Sequence, residues 1–373
     1  MTESYPSAHF DGGNTGYVPD PAGGQRTFET FDTIWSFETD GELRASPVVS
    51  DEVVVVGDMN GVVYGLNAIN GREHWRTSLD APSVFASAAV IDGTVFVSGY
   101  DDLNRAEATV FALDLAAGEV QWARDFDQGG RTGVKTDGER VYIQTDDGAC
   151  YALDSGTGET IWRIDGERHN KLPALDAGLV IRKDGEALVA LDAKHGTERW
   201  RTDVDGRVLT PPVVDDGRVY VVTGSSELWC LDSATGKVVW HINIDTAIRE
   251  HPATSDPLLP VVGGVLDSKP VTDGESIFIG IYKGLVEIDA IDGRLLSYDL
   301  LDQRLYDPLL VGTDDERCLY GSVDTDGVTQ FQLTPNGASW CRSSVPDALN
   351  TAPAYATGVL YISTELDGVF AIS

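Results

Sequence analysis

The sequence predicts an all-β fold, an eight-bladed β-propeller, and three observations predict it. One unit of roughly forty residues recurs along the chain, the mark of a repeat architecture. Each copy holds four short runs of alternating apolar residues bounded by Gly and Asp, the pattern of antiparallel strands joined by tight turns. The last copy lacks its fourth strand, and a lone strand of that kind stands before the first copy.

The unit reads as an apolar strand, Asp-Gly, a second apolar strand, a Gly-containing turn, Ala-Leu-Asp, a Gly turn and Trp. Its clearest copies are YGLNAINGREHW ending at Trp75, FALDLAAGEVQW at Trp122, YALDSGTGETIW at Trp162, VALDAKHGTERW at Trp200 and WCLDSATGKVVW at Trp240. In each, the turn glycine (Gly71, Gly118, Gly158, Gly196, Gly236) lies four residues before the Trp. Four antiparallel strands every ~40 residues describe a propeller blade. Three further units are degenerate. The sixth has Leu296-Ser297-Tyr298 where Trp would stand, the seventh ends FQLTPNGASW at Trp340, and the eighth stops at Ser373. The run Phe31–Phe37, with Trp35, supplies the missing outer strand of the last blade and leaves no open sheet edge at the seam. The expected organisation is an N-terminal extension over 1–30 and a propeller over 31–373. Its blades span about 45–77, 85–124, 132–164, 172–202, 210–242, 268–299, 306–342, and 350–373 with 31–38.

Composition narrows the function. The chain carries 60 acidic against 27 basic residues, a net charge of −33, with Asp and Glu scattered through every repeat. Nucleic acid is excluded as a partner over most of such a surface, because polyphosphates need Lys/Arg patches. Lys is scarce beside Arg and Asp, a balance expected of a protein from a salt-loving organism. Residues 1–30 show no charged and apolar leader pattern, and no window approaches the ~18 apolar residues of a membrane span. Cys150, Cys230, Cys318 and Cys341 lie far apart, so neither a zinc site nor a redox pair is indicated. A monomer resident in the cytoplasm is expected.

The Ala-Leu-Asp…Gly…Trp unit resembles the tryptophan-docking repeat of the quinoprotein, or PQQ-binding-like, family, and covers nearly the whole chain. The resemblance implies that Trp35, Trp75, Trp122, Trp162, Trp200, Trp240 and Trp340 wedge between neighbouring blades. An indole suits that place, offering a large apolar area and one N–H. The family contains calcium- and quinone-dependent alcohol dehydrogenases, which carry a vicinal Cys-Cys pair against the cofactor and are longer than this chain. It also contains non-catalytic propellers, among them the scaffold lipoprotein of the bacterial outer-membrane barrel assembly machine. No two Cys are adjacent here, and size and repeat style place the chain nearer the non-catalytic branch. That scaffold's lipid-modified Cys has no counterpart.

Other constellations carry less. Asp58-Met59-Asn60-Gly61 and Asp324-Thr325-Asp326-Gly327 resemble fragments of calcium loops but lack a twelfth-position Glu and fall where hairpin turns belong. His9, His74, His169, His195, His241 and His251 form no metal spacing. Arg44, Arg131, Lys171, Lys269 and Arg304 all lie just upstream of innermost strands, where they would form a cationic ring at one channel mouth and a focused anion site. Ordinary pairing with neighbouring carboxylates is the competing reading. Residues 241–268 are an insertion, a candidate lid or partner contact. Two functions follow: a non-catalytic scaffold or binding propeller without cofactor, acting on a protein or a small anion, or an oxidoreductase holding PQQ or another small cofactor in the central funnel.

Overall fold

Turns of the predicted kind, such as Asp216-Gly217, join the strands, and the strands pair into eight separate sheets. The computed structural model describes residues 11–12, 14–19, 32–84, 86–100, 107–129, 133–168, 171–251, 268–281, 284–300, 305–312, 317–323, 327–334, 337–343, 352–365 and 368–373. Blade 1 comprises Val48–Ser50, Val53–Gly57, Val62–Asn67 and Glu73–Ser78. Blade 5, a representative of the repeat, comprises Val213–Asp215, Arg218–Val222, Glu227–Asp232 and Val238–Asn243. Burial follows strand order. The second strand of blade 1, Val53–Gly57, is buried throughout, whereas its fourth strand buries only Trp75 in full. Middle strands are covered by neighbouring blades on both faces, so they read as apolar runs; outer strands face solvent and alternate.

Six tryptophans join neighbouring blades. Each indole N–H donates to a carbonyl of the next blade: Trp35 to Ala68 (2.9 Å), Trp75 to Leu115 (2.8 Å), Trp122 to Ser155 (2.9 Å), Trp162 to Ala193 (2.9 Å), Trp200 to Ser233 (2.7 Å) and Trp240 to Ala290 (3.3 Å). The ring lies flat on the turn glycine of that next blade. A Cβ on Gly71, whose φ is +68°, would stand 2.6 Å from the Trp35 ring, so both conformation and space demand glycine there. A bulge lies beside each of these six tryptophans, such as that between Gly65 and Leu66 opposite Trp75, and one also stands opposite Ser297 of blade 6. The side chain of Trp340 lies outside the described residues.

Ring closure follows the sequence. Thr33–Phe37 pairs antiparallel with Gly368–Ile372, making the outer strand of blade 8, and Trp35 then docks on blade 1. The joint between blades 6 and 7 is different. Ser297 stands opposite Glu287 where blade 5 sets Trp240 opposite Cys230. Arg317 of blade 7 reaches back instead, bonding Asp273 (3.1 Å) and Glu287 (3.2 Å) and lying over the Phe278 ring.

The N-terminal segment departs from expectation most. Residues 11–12 and 14–19, read from sequence as part of an extension, lie within the ring. Tyr17–Pro19 runs parallel to Leu310–Gly312 and adds a fifth, innermost strand to blade 7. The insertion after blade 5 begins with the helix Ile244–Glu250, N-capped by Asn243, whose Ile244 and Ile248 are buried; 252–267 lies outside the described residues.

Candidate functional site

The innermost strand of each repeat is short, two or three residues in blades 1 to 6. Only one edge of it is paired within its own blade; the other presents backbone N–H and C=O groups to the axis. Buried groups of that kind need partners, and residues 11–12 and 14–19 meet a set of them in blades 4 to 7, with a Lys side chain of blade 3 beside them. In blade 3, Lys135 Nζ donates to the Asp11 carbonyl (2.5 Å); in blade 4, the Leu175 N–H donates to the Gly12 carbonyl (2.8 Å). The Asn14 amide nitrogen donates to the carbonyls of Pro173 (3.1 Å) and Pro212 (2.9 Å), just before the inner strands of blades 4 and 5. In blade 6, Lys269 Nζ donates to the Asn14 carbonyl (2.9 Å) and the Thr272 N–H to the Thr15 carbonyl (3.1 Å). In blade 7, the Leu310 N–H donates to the Gly16 carbonyl (2.8 Å), and the Tyr17 hydroxyl reaches Gly312 O (3.0 Å). Asn14 is 0% exposed and sits at φ +62°, a left-handed conformation that Asn tolerates. The Asp11 carboxylate accepts from the Thr15 N–H (3.0 Å) and hydroxyl (2.6 Å), closing the turn that presents Asn14.

Electrostatics around the axis are set by burial. Lys135 is pushed down to about 8 by desolvation, which the nearby Asp11 carboxylate partly offsets. Lys183, whose ammonium donates to Val208 O (3.1 Å), is lowered by desolvation and then by Arg207 and Lys171. Asp215 is raised to about 6, first by desolvation, with Asp11, Asp216 and Asp273 adding repulsion.

Of the five cations expected at the mouth, the structure places three. Arg44 is exposed and paired with Glu42 (3.1 Å) and Glu365 (2.8 Å). Lys171 is half-buried and close enough to Lys183 to act on it. Lys269 is buried beneath the N-terminal segment. Arg131 and Arg304 lie outside the described residues. Sequence reasoning passed over Asn14, Lys135 and Lys183; the available signal was the Asn-Thr-Gly of residues 14–16 and the two Lys that stand within strand runs.

The other candidate motifs settle as structure. Asp58 is a turn residue, its carboxylate accepting from the N–H groups of Asn60 and Val62 and the hydroxyl of Tyr64; the 324–326 turn lies outside the described residues. His74 is exposed, His195 pairs with Asp192, and His241 pairs with Glu227 and stacks on Trp229. His251 caps the inserted helix with its backbone, and His9 and His169 lie outside the described residues. Burial pushes the Cys150 and Cys230 thiols up to about 11 and about 12, away from thiolate chemistry.

Among the described residues nothing in the channel fits a quinone with calcium: residues 11–12 and 14–19 bond across it, and no three His, Cys, Asp or Glu side chains converge to hold a metal ion. Among the described residues no helix is long and apolar enough to cross a membrane.

Comparison with known proteins gives one consistent relationship. The family described as outer membrane protein assembly factor BamB matches residues 29–106, 86–179 and 166–373. The BamB of Alkalilimnicola ehrlichii is 29% identical over 201 residues, half of each chain, and that of Shewanella oneidensis 25% over 249 residues, 62% of this chain and 61% of the relative. These matches thus span about half to three-fifths of the relatives' length; that to the Salmonella typhimurium BamB, 27% identical, spans 91% of this chain and 88% of the relative. The crystal structure of BamB from Moraxella catarrhalis superposes with a TM-score of 0.68 over 92% of this chain and 97% of its own, at 19% identity. A europium-containing methanol dehydrogenase superposes with 0.75 over 97% and 89%, at 11% identity. At those identities the two structures share the fold with this chain.

Proposed function

The chain belongs to the family of the outer membrane protein assembly factor BamB, and on that premise we propose that it is a non-catalytic propeller scaffold whose partner is another protein. The single observation carrying this reading is the channel. An enzyme of the same fold needs room there for its cofactor, and here the chain's own residues 11–12 and 14–19 bond to the inner edges of blades 4 to 7 and to Lys135 of blade 3. The competing reading, a quinone or other small-cofactor oxidoreductase, rests on a likeness of fold, and fold does not carry function. The scaffold acts as a monomer and needs no cofactor. Residence in the cytoplasm goes with the proposal, supported by the free, buried thiols of Cys150 and Cys230. Anion binding by Arg44, Arg131, Lys171, Lys269 and Arg304 belongs to it under one condition: the Lys269 ammonium must exchange the Asn14 carbonyl for the anion.

The test has two arms. Crosslinking of the tagged chain in native extract at high salt, followed by binding of the purified pair, should yield one protein partner at fixed stoichiometry. Calorimetry with PQQ plus calcium should give no heat of binding, and dye-linked alcohol oxidation no turnover. Tight PQQ binding with alcohol oxidation would overturn the scaffold reading. Calorimetry with simple polycarboxylates on the wild type and Lys171→Ala separately decides the anion clause.

A further inference from the structure

We infer that the central channel is a peptide-binding site: it takes a segment that begins as a turn and ends as a short strand added to the inner edge of blade 7, and the chain's own residues 11–12 and 14–19 are its resident, exchangeable ligand. The inference concerns the axis and holds whatever the partner of the outer surface proves to be.

Most contacts to the segment are made to its backbone. Lys135, Leu175, Lys269, Thr272 and Leu310 all donate to its carbonyls, and Tyr17–Pro19 joins the sheet in register with Leu310–Gly312. Main-chain pairing of this kind is how an exposed sheet edge captures an extended peptide, with alternate side chains supplying specificity. Three positions carry that specificity. Position 14 must be Asn, because its amide nitrogen faces two carbonyl oxygens, those of Pro173 and Pro212, and a carboxylate there would be repelled. Position 16 must be Gly: its φ is +66°, and a Cβ would lie 2.7 Å from Val271 Cγ1 and 3.2 Å from Lys269 Nζ. Position 18 takes an apolar residue, since Val18 is 2% exposed. The ligand class is therefore a peptide of pattern Asn-Xaa-Gly-Xaa-apolar, turned at its start and extended at its end.

The segment also differs from the repeat in how it is held. Blades 1 to 6 each consist of four strands contiguous in sequence, whereas residues 11–12 and 14–19 reach blade 7 from a separate stretch of chain before Thr33. Cutting that connection leaves the eight repeat sheets covalently whole.

The experiment uses the full chain with a specific protease site substituted within residues 22–28 and cut in the folded state. The N-terminal fragment should stay bound through gel filtration. A fluorescein-labelled peptide of residues 11–19 should then exchange into the cut protein with saturable anisotropy. The Asn14→Asp and Gly16→Val peptides should bind roughly tenfold or more weakly, as expected when a buried hydrogen bond gives way to repulsion or overlap. Departure of the fragment with unchanged melting, or equal binding of all three peptides, would overturn the inference. A second readout needs no cut. In the intact chain the Thr272 and Leu310 amides should be protected from hydrogen exchange. Gly16→Val should accelerate both roughly tenfold, by opening the strand locally, while amides of Val55 and Val221 keep their rates. Equal rates in wild type and variant would refute it.

Discussion

The joints between blades 5 and 6 and between blades 6 and 7 are neighbours built on opposite chemistry. At the first, Trp240 lies on Gly293, and its indole N–H shares the Ala290 carbonyl with the Tyr220 hydroxyl. At the second, Ser297 occupies the Trp register, and Arg317 of the following blade bonds Asp273 and Glu287, with Ser276 and Ser297 also donating to Glu287. One joint is an apolar wedge whose polar anchors, the Arg218 guanidinium among them, all end on backbone carbonyls of blade 6; the other is a partly exposed ion-pair network between side chains. The ring thus tolerates loss of its repeat signature where another side chain can reach the gap. Blade 7, beyond the polar joint, is also the blade that receives the added N-terminal strand.

The largest expected effect is at a wedge. Trp35→Ala should cost about 3–5 kcal/mol, the usual loss for truncating a buried aromatic, and should release the seam between blades 8 and 1. Denaturant unfolding followed by tryptophan fluorescence measures it, and a loss under ~1 kcal/mol would show that the wedges are not what holds the ring. Trp240→Ala should cost less, because that indole is only half-buried.

Arg317→Ala should cost about 1–3 kcal/mol, since it leaves Asp273 and Glu287 without their shared cation in a joint only partly open to solvent. Arg317→Met, which keeps bulk without charge, separates filling from pairing. If Met restores full stability, the polar joint is a wedge in disguise and the contrast with Trp240 collapses.

The channel side of the ring should respond to pH while the tryptophan joints do not. Asp215, raised from 3.8 to about 6 chiefly by desolvation, binds its proton more tightly in the folded state than in the unfolded chain. The folded state is therefore penalised while Asp215 is ionised. Stability should rise as pH falls from about 6 towards 4, by up to ~2 kcal/mol, and the full penalty holds above 6. Asp215→Asn should raise the melting temperature at pH 8 and leave it nearly unchanged at pH 4. An equal gain at both pH values would remove Asp215 as the cause.

The smallest effect discriminates most finely between the joints. Between roughly 0.1 M and 2 M KCl the Arg317→Ala penalty should shrink by a few tenths of a kcal/mol as salt screens the pair, while that of Trp35→Ala holds constant. The wild type should itself melt higher in salt, because a net charge of −33 repels itself when unscreened. A flat wild-type response would contradict a salt-adapted surface.

The repeat made blade number, strand order and the seam at Trp35 readable from the residues alone. Its signals are local: a glycine four residues before a tryptophan and alternating strands beside Asp-Gly turns depend on nearest neighbours in the chain. For the same reason the roles of Trp75, Trp122, Trp162 and Trp200 were legible, since identical environments recur at each joint. Tertiary structure alone decided the rest. That Asn14 faces Pro173 and Pro212, that Lys269 is buried on the Asn14 carbonyl, and that Arg317 replaces a missing tryptophan all join residues far apart in sequence. Such pairings leave no periodic trace: the unpaired inner edges and the gap at Ser297 come into existence only when the ring closes, and only then select the groups that fill them.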